Sequence, residues 1–322
     1  MKKISRLRFA HLPTPVESLP RLSAYLGGPT LLVKRDDQTG LAFGGNKTRK
    51  LEYLLAEAEA AGARTVITAG AVQSNHCRQT AAAAARFGFQ CTLVLTGRPP
   101  EDISGNLLLD RLLGAEVVYS KGEERSQMLQ RVFEESMLAG RKPYLIPYGG
   151  SNAVGAAAYA FAFKELLDQG VRPDWILFAS SSGGTQAGLV LGKELFDGEC
   201  KILGISVDQP RALLQERVAK LAGETAEHLG ESFTFTPDQV QVNDAYLGAG
   251  YGVMGEPERE AIRAFAQYEG LLLDPVYTGR AAAGLIDLIR KGFFLPGQTV
   301  LFWHTGGGPA LFASKYRSLL AG

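Results

Sequence analysis

Residues 34–50 read KRDDQTGLAFGGNKTRK, and this Gly-rich turn delivers Lys47 to the first turn of a predicted helix. The positive end of a helix disfavours an ammonium group, so the sequence predicts a lowered pKa for Lys47. A lysine of lowered pKa suits imine formation and proton abstraction. A nucleotide phosphate loop needs Gly directly before Lys-Ser/Thr, but Asn46 stands there. The plain alternative is a solvated lysine at a helix start, and the other segments must decide.

Around this turn, short apolar runs alternate with helical patterns, which is typical of a mostly parallel sheet covered by helices. The runs that predict strands are residues 31–33, 65–68, 91–95, 117–119, 144–146, 175–179, 202–207 and 300–303. Helices are predicted after Asn46, which can cap the first of them, after Asn75, from 155 to 167, and after Thr185, Gly279 and Gly307. Residues 224–243 are irregular and polar, and we expect a long surface connection there.

A Gly/Ser/Thr segment, residues 180–188, directly follows the apolar run 175–179. A strand, such a turn and a helix start together form a cup of backbone N–H groups and hydroxyls that can hold a phosphate. The segment contains no Lys or Arg, which suits a monoester phosphate better than a triphosphate with its metal. A tight turn of an ordinary α/β sheet is the alternative.

Other turns also carry polar groups beside predicted strand ends. Ser74 and Asn75 can hold a substrate carboxylate or a ring hydroxyl, and an ordinary helix cap is the alternative. Tyr251 and Tyr277 lie in loops beside Gly, where a phenol can act as acid, base or donor, although most loop tyrosines only pack. Thr305 ends a predicted strand, at the sheet edge where ligands bind.

Bulk properties exclude several classes of function. Lys and Arg number 34 and Asp and Glu number 33, which gives no electrostatic case for nucleic acid or an anionic membrane. Three cysteines and four histidines show no metal spacing, so no metal site is predicted. The N-terminal residues lack the apolar run of a signal peptide, and no stretch approaches the ~20 apolar residues of a membrane span. We expect a soluble, cytoplasmic protein.

Taken in order, four segments resemble one family: KRDD…GGNKTRKLE, QSNH…RQTA, GGTQAG and DPVYTG. They are similar to the D-cysteine desulfhydrase and 1-aminocyclopropane-1-carboxylate (ACC) deaminase family of pyridoxal-phosphate enzymes. The resemblance implies the tryptophan-synthase-β-like fold (fold type II), with two open, twisted, mostly parallel sheets and helices on both faces. It also implies a homodimer, with a small α/β domain, residues 50–155, inserted in a large cofactor-binding domain, residues 1–49 and 156–322.

The resemblance also implies roles for individual residues. Lys47 would carry pyridoxal 5'-phosphate covalently, beside Asn46, and Asn75 would hydrogen-bond the phenolic oxygen of the cofactor. Ser74 would lie at the substrate, with Tyr251 and Tyr277 near the reacting atoms. The phosphate would be held by Ser181, Ser182, Gly183, Gly184 and Thr185.

Two positions divide the activities of this family, and here they are Thr278 and Thr305, where the deaminases have Glu and Leu. A carboxylate at the pyridine nitrogen makes the ring a strong electron sink, which opening a cyclopropane requires. Expelling a thiolate does not require it, so the resemblance favours D-cysteine desulfhydrase, a carbon–sulfur lyase, over ACC deaminase. L-cysteate sulfite elimination stays open, because Arg280 or another Arg near the site can serve a sulfonate. A non-catalytic small-ligand-binding protein is the alternative of another class.

Overall fold

The computed structural model describes residues 2–321, which form two sheets flanked by helices. The strands are β1 (Val16–Ser18), β2 (Thr30–Arg35), β3 (Thr65–Ala71), β4 (Gln90–Thr96), β5 (Glu116–Tyr119), β6 (Pro143–Leu145), β7 (Trp175–Ser180), β8 (Lys201–Ser206), β9 (Gln241–Asn243) and β10 (Thr299–His304). The helices are α1 (Pro20–Leu26), α2 (Asn46–Ala60), α3 (Asn75–Phe87), α4 (Gly105–Leu112), α5 (Arg125–Leu138), α6 (Ala153–Asp168), α7 (Gly184–Leu195), α8 (Arg211–His228), α9 (Glu256–Glu269), α10 (Thr278–Arg290) and α11 (Ser314–Leu320).

The larger sheet has six strands in the order β1-β2-β10-β7-β8-β9, all parallel except for the antiparallel β1. The smaller sheet has four parallel strands in the order β5-β4-β3-β6. Every predicted apolar run lies in or overlaps one of these strands, and the predicted α/β class is confirmed.

Helices cover both faces of each sheet, because strands buried on both sides must exclude water from both. On one face of the larger sheet, Phe302 packs with Phe265 of α9, while Trp303 points to the other face and packs with Tyr159 of α6. In the smaller sheet, Val66 belongs to a cluster with α2 and α3, whereas Ile67 packs with α5 on the opposite face. The alternating partners of neighbouring residues follow from the two-residue period of a strand.

Two sequence predictions need correction. Asn46 does not cap α2: it is the first residue of the helix, the cap position belongs to Gly45, and the Asn46 side chain donates to Thr185 Oγ1 at 3.0 Å instead. Residues 224–243 are not one long connection, because α8 continues to His228 and β9 begins at Gln241. The polar face of α8 hides its helical period, since a helix on the protein surface buries only one side.

The four strands of the smaller sheet all lie within residues 50–155, the predicted small domain. Helix α2 runs across the predicted boundary at residue 49/50 and so links the two sheets. The division of the chain at residues 49/50 and 155/156 stays a prediction. Within residues 2–321, none of the helices combines the length and apolarity needed to cross a bilayer.

A buried set of charges fixes the first turn of α2 to the larger sheet. The guanidinium of Arg49 contacts Asp36 at 2.8 Å and Glu165 at 2.9 Å, and Lys34 Nζ lies 2.7 Å from the same Glu165 carboxylate. Burial alone would raise the pKa of Asp36, but the adjacent Arg49 holds it below its ordinary value. Because Arg49 lies two residues after Lys47, this charge set also fixes where Lys47 emerges.

Candidate active site

One pocket lies where the carboxyl ends of strands from both sheets meet, the usual ligand position of open α/β sheets. Segments that follow β3, β6, β7 and β10 form its wall together with the first residues of α2. The predicted site residues that line it are Asn46, Lys47, Ser74, Asn75, Ser181, Ser182, Gly183, Thr185, Tyr277 and Thr305. The structure thus brings together side chains that are up to 259 residues apart, from Asn46 to Thr305.

Lys47 enters this pocket from a turn that packs against the end of β10. The N–H of Asn46 donates to the Thr305 carbonyl at 3.0 Å, and a Cβ on Gly306 would lie only 2.7 Å from Gly45 Cα. Burial lowers the pKa of Lys47 to about 8, although a hydrogen bond with Lys50 opposes the shift. The predicted direction is confirmed, but burial rather than the helix terminus is its main cause.

The Gly/Ser/Thr segment forms the expected cup at the start of α7. Gly183, with a φ of 88°, caps the helix, and the Gly184 N–H donates to Ser151 Oγ at 3.2 Å. A Cβ on Gly184 would lie 2.6 Å from Ser151 Oγ, 2.9 Å from Lys50 Nζ and 3.0 Å from Ser151 Cα, so a larger residue would displace the side chains that form the cup. Ser182 Oγ lies 2.8 Å from the same Ser151 hydroxyl, which joins the cup to the turn after β6.

Lys50 was missed by the sequence analysis, which found no cation in the cup. Its amino group is fully buried, 3.3 Å from the Gly149 carbonyl and 3.4 Å from Ser151 Oγ. Burial and then the charge of Lys47 strongly lower the pKa of Lys50, and within residues 2–321 no carboxylate forms an ion pair with it. Its spacing of three residues from Lys47 on α2 was the available signal, because such residues share a helix face.

The turn after β3 combines a structural and a ligand-facing residue. Ser74 caps α3, because its Oγ accepts a hydrogen bond from Cys77 N at 3.2 Å. The ordinary helix cap, which was the alternative prediction for this turn, is confirmed. Asn75 accepts a hydrogen bond on Oδ1 from Asn106 Nδ2 at 2.9 Å. His76 also lines the pocket; its Nε2 contacts Thr68 Oγ1 at 2.9 Å, and its buried Nδ1 has no partner within residues 2–321.

The two predicted tyrosines meet between the pocket and a second cavity. Tyr277 lines the pocket, whereas Tyr251 lines an outer cavity that shares Tyr148 and Ser182 with it. Burial raises the pKa of both Tyr251 and Tyr277, so both phenols are protonated near neutral pH. Asp274 accepts from the backbone N–H of Tyr277 at 3.1 Å and thereby fixes its position.

Three predicted residues lie apart from the pocket wall. Gly184 is behind Gly183, at the start of α7, and Tyr251 lies in the outer cavity. Thr278 is buried behind Tyr277, where its Oγ1 donates to Asp274 Oδ1 at 2.8 Å and accepts from the Asp274 N–H at 2.7 Å. Its contact with a cofactor ring stays a prediction.

Arg280 is not available to a substrate sulfonate, contrary to the sequence expectation. It is 1% exposed, and its Nε contacts Glu258 Oε1 at 2.8 Å while its other nitrogens donate to backbone carbonyls. Arg125 and Arg217 line the outer cavity instead, together with Asp208, and the Arg125 guanidinium lies 4.0 Å from the centre of the Tyr148 ring.

Comparison of the chain with known proteins identifies its family. The family model described as "Pyridoxal-phosphate dependent enzyme" matches residues 7–306. The chain belongs to this family. A crystal structure of an ACC deaminase homologue is 39% identical, with a TM-score of 0.91 over 99% of this chain and 96% of that one.

Two more distant structures share the fold. Threonine deaminase isoform 2 from Solanum lycopersicum is 17% identical, with a TM-score of 0.66 over 92% of this chain and 80% of that one. A pyridoxal 5'-phosphate-dependent aspartate racemase is 20% identical, with a TM-score of 0.66 over 91% and 90%. At these identities the likeness concerns the fold alone, and it places the chain in fold type II.

Pyridoxal 5'-phosphate is therefore the cofactor, and the pocket fits it. The glycine cradle before α7 would admit a phosphate close to backbone N–H groups, and the phosphate charge would favour the protonated form of the buried Lys50 amine. Lys47 offers an amine of lowered pKa on the same wall. No cluster of metal-binding side chains occurs in the part of the chain that the structure describes.

Proposed function

We propose that this enzyme eliminates a leaving group from the β-carbon of a small amino acid, with D-cysteine as its substrate. The reaction converts D-cysteine and water to pyruvate, ammonia and hydrogen sulfide. The observation that carries the proposal is that Lys47, Tyr277 and the phosphate cup line one pocket. Bound pyridoxal phosphate supplies an electron sink for the negative charge that develops at the substrate Cα.

Each residue of the pocket has a chemical task in this proposal. The Lys47 amine, once free, removes the Cα proton, for which its pKa of about 8 is suited. The protonated Tyr251–Tyr277 pair donates a hydrogen bond to the departing thiolate. Ser74 and the N–H groups at the start of α3 bind the substrate carboxylate.

The residue types on the pocket wall favour a substrate that loses a thiolate over a substrate that contains a cyclopropane ring. Among the described residues, no Asp or Glu side chain lines the pocket, and Thr305 stands where the deaminases of this family have Leu. A strong electron sink needs a carboxylate at the ring nitrogen, whereas sulfide leaves readily without one. ACC deamination is therefore the weaker alternative.

A second candidate, sulfite elimination from L-cysteate, is favoured by the outer cavity. Two cations, Arg125 and Arg217, and one carboxylate, Asp208, line it, beside Tyr148, which also lines the pocket. Guanidinium groups bind sulfonates as they bind other planar or tetrahedral oxyanions. Arg125→Gln would then lower turnover of L-cysteate selectively, whereas D-cysteine turnover would change little.

The deciding experiment is a pyruvate assay across D-cysteine, L-cysteine, L-cysteate, β-chloro-D-alanine and ACC, with Lys47→Ala as the inactive control. D-Cysteine should give sulfide and pyruvate in equal amounts, and absence of pyruvate would refute the proposal. Borohydride reduction and peptide mapping should place the pyridoxyl group on Lys47. A colourless protein that only binds the amino acid would support the non-catalytic alternative.

We also propose that the protein is a cytoplasmic homodimer. Analytical sedimentation tests the dimer, and cell fractionation tests the location.

A further inference from the structure

Helix α4, beside the smaller sheet, contacts the pocket residue Asn75 through the fully buried side chain of Asn106. Its backbone N–H donates to Gln73 Oε1 at 2.8 Å, and its Nδ2 donates to the Gln73 carbonyl at 3.0 Å. The same Nδ2 donates to Asn75 Oδ1 at 2.9 Å, and Asn106 Oδ1 accepts from Arg78 Nη1 at 3.2 Å. Asn106 therefore connects Arg78 to the pocket residue Asn75.

The chemistry of these groups permits only one orientation of the two amides. A guanidinium can only donate, and Arg78 remains a cation at neutral pH although burial lowers its pKa to about 10. Asn106 must turn its oxygen to Arg78 and its nitrogen to Asn75. Asn75 must then turn its oxygen to Asn106, which leaves Asn75 Nδ2 as a donor without a partner within residues 2–321.

We propose that Arg78 and Asn106 position the Asn75 amide as a hydrogen-bond donor to the phenolic oxygen of pyridoxal phosphate. Asn75 lines the same pocket as Lys47, and the phenolic oxygen is the anionic acceptor next to the carbon that the lysine binds. A Cβ on Gly307 would lie 2.7 Å from Asn75 Nδ2, so the glycine leaves this donor accessible. Asn106 touches neither cofactor nor substrate and acts as a positioning residue. The inference requires attachment of the cofactor at Lys47 and is independent of the substrate.

The test is a pH titration of the visible absorption band of the holoenzyme between pH 5 and 9. Without the Asn75 donor, negative charge on the phenolic oxygen is less stabilised. The proton on the nitrogen that joins Lys47 to the cofactor is then held to higher pH. We expect Asn106→Ala and Asn75→Ala each to raise the pH midpoint of the absorption change by ~1 unit. The free energy of this shift is about that of one charge-assisted hydrogen bond. The double variant should shift no further than Asn75→Ala alone, because both changes remove the same bond.

Two further variants separate this role from a general effect on folding. Asn106→Asp keeps the acceptor for Arg78 but replaces the donor to Asn75 and to the Gln73 carbonyl by an oxygen, and its midpoint should also rise. Ser104→Ala removes the contact of the α4 cap with Ser314 and leaves the amide chain intact, so its midpoint should match the wild type.

Three results would overturn the inference: an unshifted midpoint in folded Asn106→Ala or Asn106→Asp protein, a shift in Ser104→Ala, or additive shifts in the double variant. Circular dichroism and a melting curve establish that each variant is folded. Absence of a pyridoxyl group on Lys47 in the reduced wild type would instead refute the function proposed above, and this inference with it.

Discussion

The hydroxyl oxygens of Tyr251 and Tyr277 lie 2.6 Å apart, and their rings meet nearly edge to face with centroids 6.0 Å apart. Because burial raises the pKa of both, the pair holds two protons near neutral pH. One proton bridges the two oxygens, and either oxygen can be its donor. In the proposed reaction the pair would therefore act as a single proton donor rather than as two.

We expect Tyr277→Phe to lower kcat/KM for D-cysteine by ~10²–10³-fold, the usual contribution of a positioned acid. Tyr251→Phe should cost less, and the double variant should be no worse than Tyr277→Phe, because residues that act as a unit are not additive. Steady-state kinetics measure this. Tyr246→Phe is the matched control, since its hydroxyl donates to Asp287 outside the pocket. If the losses in kcat/KM of the two single variants multiplied in the double variant, the two tyrosines would have independent roles.

Replacement of Lys50 by Met removes the ammonium beside the phosphate cup and keeps the apolar stem. We expect cofactor affinity to fall by roughly 10- to 100-fold, the loss of one charge-assisted hydrogen bond. The cofactor-free protein should be as stable as the wild type or more so, because burial of an amine without an ionic partner is costly whether the amine is charged or neutral. Titration of stripped protein with pyridoxal phosphate and a melting curve test both. Lys220→Met, whose side chain is 79% exposed, is the control; equal affinities of the two variants would contradict the assignment.

The lowered pKa of Lys47 predicts how cofactor attachment depends on pH. Attachment needs the neutral amine, whose fraction rises with pH through a midpoint near 8 rather than 10.5. The rate at which the visible band appears after mixing should rise about tenfold per pH unit below 8 and level off above it. Stopped-flow mixing across pH 6–10 measures it. A rate that keeps rising to pH 10 would mean that burial does not lower this pKa.

A single methyl group at Gly184 should prevent phosphate binding. The added Cβ would lie 2.6 Å from Ser151 Oγ and 2.9 Å from Lys50 Nζ, inside the cradle. We expect Gly184→Ala to fold but to purify colourless. Gly223→Ala, in the middle of α8 with its nearest neighbour 3.9 Å away, should retain the cofactor and gain up to ~1 kcal/mol of stability. A yellow Gly184→Ala protein would show that the phosphate lies elsewhere.

The sequence predicted the central strands well because they are buried on both faces and read as unbroken apolar runs. It missed β1 and β9, which have three residues each and lie at the edges of the larger sheet. So short a segment shows no periodicity, and only its pairing with β2 or β8 defines it as a strand.

The candidate site was predictable where chemistry lies next to glycine in the sequence, as for Lys47 and the cup before α7. It was not predictable where function depends on packing between distant segments. Asn106 resembles any polar residue of a short helix until it is placed beside Asn75, 31 residues earlier. The resemblance assigned Thr278 to the cofactor ring, but no sequence pattern indicates that its hydroxyl donates a hydrogen bond to Asp274 instead.

The buried charges behind α2 restrict how this region can change over evolutionary time. Lys34 and Arg49 balance Asp36 and Glu165, so any one replacement strands a charge away from water, at a cost of roughly 3–5 kcal/mol. That is a large part of the stability of a typical domain. A tolerated change would need a cation and an anion to be replaced together. The effect of a substitution at any of the four positions would therefore depend strongly on the other three. Substitutions at these four positions would therefore disturb the helix turn that bears Lys47 without touching the ligand.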